Sequence, residues 1–218
     1  VGGAVRGDAS RRVGGVAGVS EAGPGDVTWL SHEKYARRLT ESKAGAVIVP
    51  LNIRWSPLEN EDAMRDCRAE ILFVDKAFAA VGTTLAKANP GLKLVYADDG
   101  ETSAGMENYE ALITQSQPVA DAMRKRDDLA GIFYTGGTTG RSKGVMLSHG
   151  NLMANAFNAL SEGLWPSTTI YLHAAPMFHL ANGAAMYSVL LSGGSNVVIQ
   201  GFTPDGVATA IQKERVTD

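Results

Sequence analysis

The chain has 218 residues, of which 44% are hydrophobic and 20% charged, with a formal net charge of −3 and a single cysteine. That length allows one large domain or two small ones, and the near-balanced charge argues against a nucleic-acid partner, since the one basic cluster, Arg124-Lys125-Arg126, is followed directly by Asp127-Asp128. Cys67 has no internal disulfide partner, no apolar run reaches membrane-spanning length and no signal-peptide series is present, so a cytoplasmic protein without an integral membrane segment is expected.

In chain order, the turn Gly23-Pro24-Gly25-Asp26 precedes a helix-like run at 32–41 and a short apolar run at 46–49 that reads as a buried strand. Ser56-Pro57-Leu58-Glu59 opens a helix over 57–66, followed by a strand at 71–74, a helix at 77–88 and a strand at 92–96. Residues 98–105 form a loop rich in Asp, Gly, Ser and Thr, with a helix at 109–115 and a connector at 116–128 beyond it. A strand at 129–134 leads into a stretch dense in glycine and threonine. After that stretch come a helix at 151–162 with Ser148 as its cap, a strand at 170–174, a helix at 183–191, a strand at 196–199 and a helix at 204–214. Strands alternating with helices predict an α/β fold, a largely parallel sheet flanked by helices.

The dense stretch carries most of the chemistry: Tyr134-Thr135-Gly136-Gly137-Thr138-Thr139-Gly140-Arg141-Ser142-Lys143-Gly144-Val145. Glycines let a backbone turn sharply and bring its N–H groups against an anion. The hydroxyls of Thr135, Thr138 and Thr139 add donors, and Lys143 adds a mobile positive charge, so the stretch reads as a phosphate loop. The Walker pattern G-x-x-x-x-G-K-S/T does not fit, because Ser142 rather than glycine precedes Lys143 and Gly144 rather than a hydroxyl residue follows it. The bland alternative is a glycine-rich hairpin that holds no ligand.

The same residues resemble the signature of the AMP-forming acyl-CoA synthetase and adenylate-forming superfamily, Y/F-T-S-G-S/T-T-G-x-P-K-G-V, with Gly136 in place of serine and Ser142 in place of proline. Ala44 to Arg54 is similar to the strand and turn written AGAVVVPLN in that family, and Pro176-Met177-Phe178-His179 is similar to its P-L/M-F/Y-H segment. The resemblance runs from 44 to 218 and implies the partial N-terminal domain of an adenylate-forming enzyme. It implies ATP, Mg²⁺ and coenzyme A as cofactors, with a small carboxylic acid, fatty or aryl, as substrate. It assigns Thr135, Gly136, Gly137, Thr138, Thr139, Gly140 and Lys143 to the nucleotide phosphates, and His179 to the acyl pocket or the α-phosphate, with no protein metal ligand. For His179 the competing reading is a satisfied structural histidine. The family's Y-G-x-T-E segment, its ribose-binding aspartate and its C-terminal domain have no match before Asp218, so a fragment is expected.

The first segment resembles something else. Asp26-Val27-Thr28-Trp29-Leu30-Ser31-His32-Glu33-Lys34-Tyr35 is similar to the N-terminal uridine-binding domain of UDP-3-O-acylglucosamine N-acyltransferase, in which an aromatic pair stacks on uracil around an asparagine. Trp29, His32 and Tyr35 hold the matching positions, with Trp for Phe and His for Asn. Trp stacks on a base as well as Phe does, but His lacks the paired donor and acceptor of an amide. Trp29 and Tyr35 can equally be core aromatics. The expected organisation is an acyltransferase-like segment at 1–49 joined to a partial AMP-binding domain at 50–218, a chimeric order with the join near Lys43–Pro50. A non-catalytic binding module, for a UDP-sugar or a protein, is the alternative to a ligase.

Overall fold

The computed structural model describes residues 15–17, 26–28, 46–118, 122–136 and 141–218. In the first segment it gives two short strands, β1 (Gly15–Ala17) and β2 (Asp26–Thr28), paired in parallel. The expected helix at 32–41 lies outside the described residues.

Helix α1 spans Pro57–Cys67 because its entry is fully capped: Ser56 Oγ accepts from Glu59 N at 3.3 Å, and Glu59 Oε2 accepts from Ser56 N at 2.8 Å, with proline in the first turn. These bonds from the Ser56 backbone and hydroxyl hold the Glu59 carboxyl below its ordinary pKa. Strand β3 (Ile71–Val74) pairs in parallel with β4 (Lys93–Tyr96), and α2 (Ala79–Ala88) is the crossover between them. Gly82 lets α2 approach closely, since a Cβ there would lie 3.0 Å from Val74 Cγ1. Helix α2 begins two residues later than expected because Asp75 accepts the Phe78 N–H through both its backbone and its carboxylate, and this holds 75–78 as a turn. Two residues, β5 (Glu107–Asn108), extend this sheet in parallel, and Asn108 then caps α3 (Tyr109–Gln115).

The chain after Tyr134 differs from the sequence reading, which expects no strand between 135 and 169. Strand β6 (Leu129–Thr135) turns back into a second strand, β7 (Lys143–Ser148), in an antiparallel pair; the other strand pairs described are parallel. The expected strand at 46–49 survives as one bridge: Ile48 N donates to Ala130 O at 3.1 Å, and Ile132 N donates to Ile48 O at 2.9 Å. Gly131 makes this approach possible, because a Cβ there would meet Ile48 O at 3.1 Å.

Ser148 caps α4 (His149–Ser161), as expected from its sequence. Strands β8 (Ile170–His173) and β9 (Ser195–Val198) pair in parallel across α5 (Leu180–Ser192), and α6 (Pro204–Glu214) follows with Thr203 as its cap. The described residues thus form a mixed α/β architecture, with parallel strand pairs flanked by helices. A core cluster joins Cys67 of α1 to Leu129 and Ile132 of β6, with Val47, Val49, Tyr134 and Met146 around it. Cys67 is therefore a buried small hydrophobe, and burial pushes its thiol pKa up. No described helix is long and apolar enough to cross a membrane.

Candidate functional site: the glycine-rich hairpin

Strands β6 and β7 bring the two ends of the loop together. Thr135 and Lys143 are register partners at the loop end of the hairpin, and the Thr135 hydroxyl donates to the Lys143 carbonyl at 3.4 Å. Directly opposed residues of an antiparallel pair project on the same face, so a hydroxyl and an ammonium group stand side by side. Lys143 is exposed, and among the described residues no carboxylate lies within 4.0 Å of its ammonium. Gly136 opens onto empty space, with nothing within 4 Å of where a Cβ would lie. Gly137, Thr138, Thr139 and Gly140 lie outside the described residues, as do Trp29, His32 and Tyr35.

Side chains alternate along β6, so the hairpin has two differently employed faces. Ile132 and Tyr134 face α1 and the 47–49 segment. Phe133 faces α5, where its ring lies 3.6 Å from the Cβ position of Gly183. Thr135 and Lys143 thus project on the α5 side. The turn before α5 is held by Asn182, a residue the sequence reading passed over. Asn182 is buried, its side-chain amide donates to the Ala175 carbonyl and lies 3.7 Å from Met177 Sδ, and a Cβ on Gly183 would strike Met177 O at 2.9 Å. A polar residue amid Leu180, Ala181 and Gly183 was the available signal.

His179 ends this turn. It is exposed, and its Nδ1 accepts from Ala181 N at 3.3 Å, which makes it the N-cap of α5 and starts that helix at Leu180 rather than at 183. A neutral ring that accepts at Nδ1 carries its proton on Nε2, leaving an N–H free to donate outward. Capping and ligand contact are therefore compatible in one ring, and two variants separate them. Replacing His179 with alanine should cost about 1 kcal/mol of stability through loss of the cap. His179→Asn should keep the melting temperature, because asparagine caps well, while removing the imidazole. If the asparagine variant matches the unaltered chain in ligand affinity, the ring does nothing beyond capping.

A cavity of about 500 Å³ lies between α4 and α5, lined by Leu147, Asn155, Trp165, Ala184 and Ser188. Leu147 is four residues along β7 from Lys143, roughly 13 Å at strand rise, and Leu180 and Ala181, which follow His179, also line this cavity. Among the described residues no group of three or more His, Cys, Asp or Glu side chains comes together to hold a metal ion.

The family model described as AMP-binding enzyme matches residues 38–218. The chain belongs to that family. Among curated AMP-binding relatives, the feruloyl-CoA synthase of Amycolatopsis sp is 38% identical over 216 residues, 95% of this chain and 41% of that protein. The indoleacetate–CoA ligase of Aromatoleum aromaticum is 33% identical over 86% of this chain and 37% of its own. Among solved AMP-binding folds, ATP-bound MatB from Rhodopseudomonas palustris is similar with a TM-score of 0.65 and 28% identity, covering 80% of this chain and 34% of that one. The chain thus spans about two-fifths of the length of the curated relatives it matches. A second model, that of UDP-3-O-(3-hydroxymyristoyl) glucosamine N-acyltransferase, LpxD, matches residues 10–63 and overlaps the AMP-binding match over 38–63. The feruloyl-CoA synthase alignment covers 95% of the chain and so extends into the first 49 residues, and a single relative runs through both segments.

Proposed function

We propose that the loop from Thr135 to Lys143 holds the β- and γ-phosphates of ATP in an AMP-forming acid–thiol ligase. The observation that carries this reading is the pairing of Thr135 with an exposed Lys143 at the loop end of a glycine-rich hairpin, in a chain of the AMP-binding family. The residues suit the ligand chemically: a free ammonium, a hydroxyl on the same face and open space beside Gly136 are what a polyphosphate needs. Mg²⁺ would arrive with the phosphates and neutralise charge on their oxygens, as expected where the described residues form no cage for it.

In the reaction, a carboxylate oxygen of the acid attacks the α-phosphorus of ATP, the bond from that phosphorus to the bridging oxygen breaks, and pyrophosphate leaves. The thiol of coenzyme A, losing its proton, then attacks the acyl carbon and AMP departs. The role of this chain's residues is electrostatic. Backbone N–H groups at Gly136, Gly137 and Gly140, the hydroxyls of Thr135, Thr138 and Thr139 and the charge of Lys143 stabilise the leaving pyrophosphate, while His179 donates from Nε2 to the acyl or α-phosphate oxygens. An aryl acid is the preferred substrate class, supported by the names of the feruloyl and indoleacetate ligases and by their identity to this chain.

The test has two arms. Mg·ATP titrated calorimetrically into the chain should give saturable binding, and the exchange of labelled pyrophosphate into ATP by a protein that contains the chain should depend on added acid, with aryl acids ahead of fatty acids. A binding module would bind without exchange. Absence of Mg·ATP binding would refute the assignment of the loop.

A further inference from the structure

The stem of the phosphate loop is tied to α1 by contacts that the loop chemistry above does not use. Tyr134, immediately before Thr135, places its hydroxyl 2.6 Å from Asp66 Oδ2 and 3.0 Å from the Ala63 carbonyl oxygen. One O–H has one proton, and the shorter, charged acceptor takes it. Trp55, on the turn into α1, meets the Tyr134 ring edge-on, with centroids 6.0 Å apart at 77°. Burial first, and then the bond to Asp66, push the ionisation of the Tyr134 phenol far up, so it remains a donor. On the other side of the loop, Arg141 Nε stands 3.4 Å from Asp62 Oδ2. Asp62 and Asp66 are four residues apart on a helix and so share one face, and that face grips the loop at both ends.

We propose that the Asp62–Asp66 face of α1 is a positioning surface for the triphosphate loop, with Tyr134 and Asp66 as the positioning pair; the proposal rests on the reading of the loop as the ATP site. The argument is geometric. Successive side chains of a strand point to opposite faces, so fixing the rotation of β6 at Tyr134 fixes the direction in which Thr135 projects. Lys143 is held to the same direction as the register partner of Thr135. A glycine-rich loop leaving an unanchored hairpin would sample many orientations, and ordering it would cost binding free energy. The bond to Asp66 removes that freedom before ATP arrives. The ion pair of Arg141 with Asp62, whose arginine is largely exposed, is the weaker of the two ties.

The test is calorimetric titration of Mg·ATP into the 218-residue chain and into Tyr134→Phe, Asp66→Asn and the double variant, with Val74→Ala, buried in the β3–β4 sheet, as a control for stability alone. Each single variant should weaken binding about three- to tenfold, as loss of a partly exposed charged hydrogen bond does. The double variant should be no weaker than the weaker single, because both act on one charge-assisted bond: phenylalanine removes its donor, and asparagine leaves only a neutral acceptor. Val74→Ala should lower the melting temperature and leave the affinity alone. Unaltered affinity in the single variants, or additive losses in the double, would overturn the proposal, as would a Val74→Ala variant that loses ATP affinity in proportion to its stability. Should Tyr134→Phe fail to fold, Asp66→Asn, at an exposed helical position, carries the test by itself. If the unaltered chain takes up no Mg·ATP, the reading of the loop falls first and the positioning role falls with it.

Discussion

Replacing Lys143 by alanine is expected to weaken Mg·ATP binding ten-fold to a hundred-fold and to leave the melting temperature unchanged. The affinity loss follows from the ligand side. A hydrogen bond to an ionised partner is worth roughly 1.5–3 kcal/mol, and each 1.4 kcal/mol is a factor of about ten in Kd. The unchanged stability follows from the protein side. Lys143 is exposed and no described carboxylate pairs with it, while its backbone pairing with Thr135 persists in an alanine variant. Arginine at the same position should recover part of the affinity, since it restores the charge with a different donor geometry. Calorimetric titration of each variant checks this, and equal affinity in the alanine variant would remove Lys143 from the phosphate site.

Gly144→Val is expected to be the most damaging single change to the hairpin, at about 3 kcal/mol. The register places Gly144 opposite Tyr134, and a Cβ there would sit 2.8 Å from Ile132 Cγ2 and 3.1 Å from Tyr134 Cζ. Overpacking a tight site costs about 1–3 kcal/mol, and here relief requires moving the ring that reaches Asp66, so a second interaction is lost with it. For a chain of this length that corresponds to a fall in melting temperature of about 6–12 °C. Thermal unfolding followed by circular dichroism reads the effect, and a melting temperature within a degree of the unaltered chain would mean that the Tyr134 ring is not packed against this glycine. Gly136→Ala is the contrast. Nothing lies within 4 Å of its Cβ position, so stability should change by about 0.5 kcal/mol or less. The serine that the family signature carries at this position would fit there equally well, and its replacement by glycine leaves no packing defect.

Local signals in the sequence account for the helix starts with particular clarity. Ser56-Pro57-Leu58-Glu59 carries its own capping box within four residues, and Ser148 with Asn151 does the same for α4, so neither needs a tertiary partner. The loop proposed for the phosphates stands out in the sequence for a similar reason, since its glycines, threonines and lysine are contiguous. Strand β7 was not legible. Lys143–Ser148 is short, contains a glycine and becomes a strand only because β6 lies beside it, which is a property of the pair. The sequence reading starts α5 at 183, and the use of His179 as its cap appears only when Nδ1 is seen against Ala181 N. The Asp66–Tyr134 bond spans 68 residues of chain, and no pattern in either segment points to the other.

What the sequence by itself determined is therefore local: a contiguous run of glycines, threonines and one lysine, the caps at Ser56 and Ser148, and membership in the AMP-binding family over 38–218. Only the tertiary structure decided which way those groups face. Direction in a strand is set by register and by the surface packed against its other side, here β7 and α1, and both depend on contacts between segments far apart in the chain.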